Sequence, residues 1–206
     1  TGNSKYAANA IDGDPDTLLI AGNARDPGAY LHSVKLARDE DCHVTGILEW
    51  SEKILDLPNA GGITEGPDGV LFYPHVASDS PELNDLGQIA ANGVPPGKLV
   101  DLGALGVDKV VTAVGFMPTG LPGAGRLVLS SSNPDTSGGI LSSHLYTGNL
   151  LDDGAGTFDI ESLDKGPELF ADIAGFAFFE AGNPHFPKDA VIVADYWQKA
   201  ITAFEL

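Results

Sequence analysis

The sequence predicts an all-β fold, a β-propeller of four-stranded antiparallel blades, and three observations predict it. The segments N-A-I-D-G-D-P-D-T-L-L-I-A at Asn9–Ala21 and G-G-I-T-E-G-P-D-G-V-L-F-Y at Gly61–Tyr73 repeat one pattern. Ile11 falls on Ile63, Pro15 on Pro67 and Asp16 on Asp68, and an apolar run follows at the same offset. Self-similarity of this kind marks units that bury their apolar faces only against neighbouring units. The chain also carries 26 Gly and 14 Pro, enough turns for many short strands and too many for long helices. Finally, apolar runs of about four residues recur between these turns, as strands buried on both faces do.

Each unit opens on a short segment of small and apolar residues: Asn9–Asp12, Gly62–Glu65, Ala113–Met117 and Gly175–Phe179. A turn follows, G-D-P-D, G-P-D-G, P-T-G-L-P-G-A-G or E-A-G-N-P-H-F-P-K-D, whose residues supply a positive or fixed φ. Then comes the most apolar strand, at Leu18–Ala21, Val70–Tyr73, Leu127–Ser130 and Val191–Ala194. The third strands are read at Tyr30–Leu36, Gly87–Ala91, Ile140–Tyr146 and Ala200–Leu206. Y-L-H-S-V-K-L alternates with the period of a strand with one wetter face. A fourth strand echoes through K-I-L-D-L at Lys53–Leu57, K-L-V-D-L at Lys98–Leu102 and E-L-F-A-D-I at Glu168–Ile173. Insertions at Ala37–Glu52 and Thr147–Gly166 contain H-V-T-G-I-L-E-W and G-T-F-D-I-E-S-L, which read as added hairpins.

The whole of 1–206 is read as one propeller domain or as a propeller fragment. Three units are complete and the fourth stops at its third strand. Either Thr1–Ala8 supplies the missing edge and closes a small ring, or the chain is part of a larger propeller; unclosed edges would expose unpaired backbone groups. A sandwich with long hairpins is the alternative architecture.

The formal net charge is −18, which reads as a solvated acidic surface, with salty surroundings or divalent cations as sharper alternatives. Nucleic acid is disfavoured, since phosphate binding needs a basic stripe and none is present. No window is long and apolar enough for a membrane span. The chain begins at Thr1 without an initiator Met, which suggests a processed or trimmed end. Lone Cys42 cannot form an intrachain disulfide, and the expected location is extracellular or periplasmic.

G-I-T-E-G-P-D-G-V-L-F-Y resembles the G-I-x-x-x-P-D-G-x-L-Y-x core of NHL-repeat propellers and of the related gluconolactonase (senescence-marker-type) propellers, a resemblance at superfamily level. I-D-G-D-P-D-T-L-L-I-A is a weaker copy, and R-L-V-L-S and A-V-I-V-A-D-Y match the inner strand alone. The resemblance implies that loops from the fourth strand into the first, and from the second into the third, gather on one face around a central channel. In the lactonase relatives a Ca²⁺ sits there on Glu, Asn and Asp side chains. Carried onto this chain, first strands begin near Asn9 and Asn59 and second strands end near Asn23, His75, Asn133 and Asp195. The implied ligand face is therefore Asn9, Asn23, His75, Asn133 and Asp195, and the implied metal set is Asn23, Asn59, Asn133 and Asp195, oxygen ligands of the kind Ca²⁺ takes. Glu65 lies in the turn on the opposite face. In a lactonase-like site His75 would serve as general base.

Elsewhere the residues favour structure over chemistry. D-G-D-P-D at Asp12–Asp16 lacks the Gly and the closing acid of an EF-hand loop, and D-D-G at Asp152–Gly154 and S-N-P-D-T-S-G-G at Ser132–Gly139 likewise read as turns capped by their own side chains. His32, His43, His75, His144 and His185 are scattered singly, no H-E-x-x-H or G-x-S-x-G is present, and G-A-G at Gly123–Gly125 is a turn. Phe176, Phe178, Phe179, Tyr196 and Trp197 read as blade packing. The expected function is a secreted, non-catalytic propeller that binds a small molecule or another protein chain. The alternative is a Ca²⁺-dependent lactonase or esterase; a third reading has the open blade pair with another chain.

Overall fold

A computed structural model describes residues 6–11, 14–23, 29–51, 55–57, 63–77, 80–90, 97–107, 110–132, 142–169, 173–182, 186–195 and 198–206. They form sixteen strands, a single 3₁₀ turn at Pro67–Gly69, and four antiparallel sheets that follow one another along the chain.

The first sheet contains β1 (Tyr6–Ile11), β2 (Asp14–Asn23), β3 (Ala29–Arg38) and β4 (Val44–Trp50) in that order, with β5 (Leu55–Leu57) also on β3. The second runs β6 (Thr64–Glu65), β7 (Leu71–Ala77), β8 (Ser80–Ile89) and β9 (Lys98–Asp101). The third is β10 (Val110–Phe116), β11 (Leu127–Ser132), β12 (Ser143–Asp152) and β13 (Phe158–Leu169). The fourth is β14 (Ile173–Phe179), β15 (Ala190–Asp195) and β16 (Ala200–Glu205). Every sheet is an up-and-down meander, and the most apolar run of each unit lies in its second strand, as the sequence predicts. All six residues of β11 are buried, so both of its faces are covered.

The turns between first and second strands take the geometry their residues dictate. In P-D-G, Asp68 and Gly69 both adopt positive φ (56° and 72°), and Gly66 N–H donates to Val70 O at 2.8 Å to close the reversal. In P-T-G-L-P-G-A-G, Met117 N–H donates to Arg126 O and Gly125 N–H to Met117 O, with Gly123 and Gly125 in the left-handed region.

Three sequence assignments are corrected. Tyr6–Ala8 pairs with Ile20–Gly22 inside the first sheet, so that part of Thr1–Ala8 is no edge strand for the last one; residues 1–5 lie outside the described set. E-L-F-A-D-I is no separate fourth strand: Glu168 and Leu169 end β13, and Ile173 begins β14. The outer position of the third sheet is filled by β13, which the insertion G-T-F-D-I-E-S-L opens. The other insertion forms the predicted extra strand, β4. The third strand of the second unit begins at Ser80, ahead of Gly87.

Successive sheets touch through their first strands: β1 lies against β6, β6 against β10, and β10 against β14. Among the described residues the larger core sits between the second and third sheets, with Phe72, Leu86, Leu102, Val111, Leu127, Leu129, Tyr146 and Phe158 among its members and the Phe72 ring edge-on to Phe116 at 5.2 Å. A smaller core of Leu169, Ile173, Val191 and Val193, flanked by Phe176 and Phe178, joins the third and fourth sheets. Two predicted packing aromatics, Phe176 and Phe178, are placed there; Tyr196 and Trp197 lie outside the described residues.

Candidate functional site

In an up-and-down sheet the second strand ends, the third begins and the first begins at one end. The candidate site is that end, where β2, β7, β11 and β15 finish. What the sequence packs there is polar. Asn84, Ser130, Ser131, Ser132, Ser143 and Asp195 are all buried. A buried hydroxyl, amide or carboxylate must find partners or cost stability, and here the partners are largely backbone groups of the next sheet.

Asn84 of β8 reaches across to the third sheet, its Oδ1 accepting from Val111 N–H at 3.0 Å. In β10 the register shifts between Val111 and Ala113, a bulge that leaves Thr112 out of the ladder. The Thr112 hydroxyl donates to Ile173 O at 2.5 Å and lies 2.9 Å from Ser130 Oγ. Ser132 Oγ accepts from Ile173 N–H at 2.9 Å, so both backbone groups of the residue that begins the fourth sheet are held by side chains of the third. Ser143 Oγ donates to Leu169 O at 2.8 Å, tying the start of β12 to the end of β13. Ser131 Oγ has no hydrogen-bond partner among the described residues, though it is buried between Val111 and His144 in the ladder.

His75 lies within β7, two residues short of its end at Ala77, and stands directly opposite Asp85 of β8. Its Nδ1 is 3.5 Å from Asp85 Oδ2, and its ring lies edge-on to Tyr73 at 6.3 Å. Burial raises the Tyr73 hydroxyl above its ordinary pKa. By strand alternation His75 and Tyr73 face away from the third sheet, the side opposite Phe72.

Asp195 ends β15 on the face shared with Val191 and Val193, hence toward the third sheet. Its Oδ1 accepts from Gln198 N–H at 3.1 Å, capping the reversal into β16. His75 and Asp195 thus belong to different seams, with the third sheet between them. Asn23 is the last residue of β2, opposite Ala29, whereas Asn9 lies in mid-strand opposite Leu19 and not at the start of β1. Asn59 and Asn133 lie outside the described residues. Glu65 sits at the end of β6 beside the P-D-G turn, at the opposite end of the sheet, as expected. Among the described residues no three His, Cys, Asp or Glu side chains gather as a metal group.

The sequence reading missed Asn84, Asp85, Thr112, Ser130 and Ser143. The triple serine that closes β11 is the signal that could have found Ser130. The capped acidic turn was legible: Asp152 Oδ1 accepts from Gly154 N–H, and the Asp153 carboxylate accepts from Ala155 N–H, Thr157 N–H and the Thr157 hydroxyl. Lys98 of β9 also donates to Asp153, at 2.8 Å, and to Asp159. That ammonium, then the Thr157 and Ala155 bonds, hold the Asp153 carboxyl well below the usual carboxylate range. Partial burial works against the charge of Lys98, but the two carboxylates outweigh it and raise its pKa.

No helix among the described residues is long and apolar enough to cross a membrane. No protein-family profile matches this chain, and no curated protein sequence matches it.

Proposed function

We propose that this chain is a propeller-type, non-catalytic binding or assembly module that works outside the cytoplasm and takes a small polar ligand or another protein chain on the face where the second strands end. The observation that carries this reading is the use made of the polar side chains at that face. Asn84, Thr112, Ser132, Ser143 and Asp195 each hold backbone, three of them across a sheet boundary. Such a rim is rigid before any ligand arrives, which lowers the ordering cost of binding. The neighbouring first strands, the Pro-Asp turn shared by the first two units and the meander sheets support the propeller arrangement and the kinship with NHL-repeat and gluconolactonase-type propellers.

A second reading has its own observation. The imidazole of His75 beside the carboxylate of Asp85 is the arrangement a carboxylate-oriented general base requires, though 3.5 Å is longer than a formed hydrogen bond. In that reading the chain is a Ca²⁺-dependent lactonase or esterase, with Asn23, Asn59, Asn133 and Asp195 around the ion and His75 as base. Assay of lactone and ester hydrolysis with and without millimolar Ca²⁺, together with thermal melting under both conditions, separates the two. The binding module gives no turnover and no calcium-dependent rise in Tm. Turnover that requires Ca²⁺ and disappears in His75→Ala, with the fold intact, would establish the hydrolase instead.

A further inference from the structure

The outer edges of the third and first sheets are built to different rules. β13 carries Asp159, Glu161, Asp164, Lys165 and Glu168 exposed, with Pro167 among them. Charges and proline are the usual means of keeping an edge strand from pairing with another chain. β4 is the outermost strand of the first sheet beside the second half of β3, and all seven of its residues are exposed. Four are large and apolar: Val44 at 53%, Ile47 at 59%, Leu48 at 67% and Trp50 at 55%. The register with β3 shifts at Leu48, so Ile47 and Leu48 stand at a bulge, and both are exposed to solvent. The strand is an insertion into the repeat, so the four-sheet pattern does not need it.

Charge indicates what fits there. The turn from β3 into β4 holds Asp39, Glu40 and Asp41, with Asp39 Oδ1 accepting from Asp41 N–H and His43 N–H, and Arg38 is bound to Asp16 and to Cys42 O. Glu49, near the other end of the strand, stands opposite Lys35. The negative charge is therefore concentrated at the turn. A second copy of the chain, carrying the same acids and a net charge of −18, would meet like charge.

We infer that β4 is a docking edge for an extended, apolar segment of another protein, which adds as a strand beside Val44–Trp50 and places lysine or arginine against Asp39–Asp41. Main-chain bonds would give affinity, and the exposed apolar side chains and the basic end would give selection. The inference uses none of the residues of the polar rim, so its failure leaves the proposed function of that face standing.

The test is an NMR titration of the isotope-labelled full chain with three synthetic peptides: a valine–threonine strand ending in lysines, the same strand ending in glutamates, and the lysine form with a central proline. The lysine strand is expected to shift the amides of Val44–Trp50, to bind at least about tenfold more tightly than the glutamate form at low salt, and to weaken as salt is added. Proline removes a backbone donor and should abolish the effect. The double substitution Ile47→Lys and Leu48→Lys, at exposed positions, should abolish binding with Tm unchanged. Shifts that fall elsewhere or fail to occur, or equal binding of the lysine and glutamate peptides, overturn the inference. So does self-association of the free chain in ultracentrifugation that the double variant removes, because β4 would then be covered by a second copy.

Discussion

Gln88 is fully buried in β8, and its side-chain amide does for Phe158 what a neighbouring strand would do: Nε2 donates to Phe158 O at 2.7 Å and Oε1 accepts from Phe158 N–H at 2.8 Å. Gln88→Leu keeps the bulk and strands both backbone groups, at about 1–3 kcal/mol for each group left unpaired. Chemical denaturation should therefore show a loss of about 2–6 kcal/mol, and a change within error of zero would mean the bonds contribute nothing net. At Asp153 the effect is one of pH. Its carboxyl pKa is depressed in the fold, so its contribution is full above the ordinary carboxylate value of 3.8 and is lost as pH falls through the lower folded value. Lys98, with its pKa raised, contributes fully below its ordinary value and loses that only in strong alkali. Asp153→Asn should melt below the parent protein at neutral pH, with the gap closing as pH drops beneath the carboxylate range. A gap independent of pH would show that the carboxylate charge is irrelevant. Neither Gln88 nor Lys98 announces its partner in the sequence, because Phe158 and Asp153 are brought to them by the fold and not by spacing along the chain.

Elements were far more legible than these contacts. The second strands could be read because each is an apolar run between turn residues, and in β11 both faces are buried. The P-D-G turn could be read because its left-handed residues restrict what may stand there. The echo E-L-F-A-D-I misled because an apolar–polar alternation recurs wherever a strand end is buried on one side; Leu169 and Ile173 are core residues of two different strands. Asn9 was misplaced because β1 begins earlier than its most regular residues. Gly87 of β8 lies against the Tyr73 ring, where an added Cβ would come within 2.2 Å of it, and Tyr73 is itself buried. Gly87→Ala should cost about 1–3 kcal/mol by overpacking, while Gly46→Ala on β4, with open space around it, should cost under about 1 kcal/mol. Equal losses in denaturation would contradict the packing of the second sheet. Thr112→Val removes the donor to Ile173 O at the β10 bulge and should cost about 1–2 kcal/mol, with faster amide exchange through β14. Exchange that quickens equally throughout the chain would argue against a local clamp.

The whole molecule combines a strongly acidic composition with four sheets that pack on one another with their first strands as neighbours. At a net charge of −18 the compact state repels itself, so added neutral salt should raise Tm, most steeply at low ionic strength; a Tm indifferent to salt would show that the acids are too dispersed to matter. At this scale the sequence foretold the all-β class and the succession of sheets, since both follow from local pattern. It was silent on the seams, which join residues far apart in the chain. The central claim is that the polar side chains at the candidate face are structural, each holding a first strand or a strand end in place. Two amides report on it directly: Val111 N–H, bonded to Asn84, and Ile173 N–H, bonded to Ser132. The measurement is native-state amide exchange at these positions, in the parent protein and in Asn84→Ala and Ser132→Ala. Both amides are predicted to be protected to nearly the level of β11, and each substitution to release its own partner first. Exchange at loop rates in the parent protein would contradict the account and return these side chains to the pool available for chemistry.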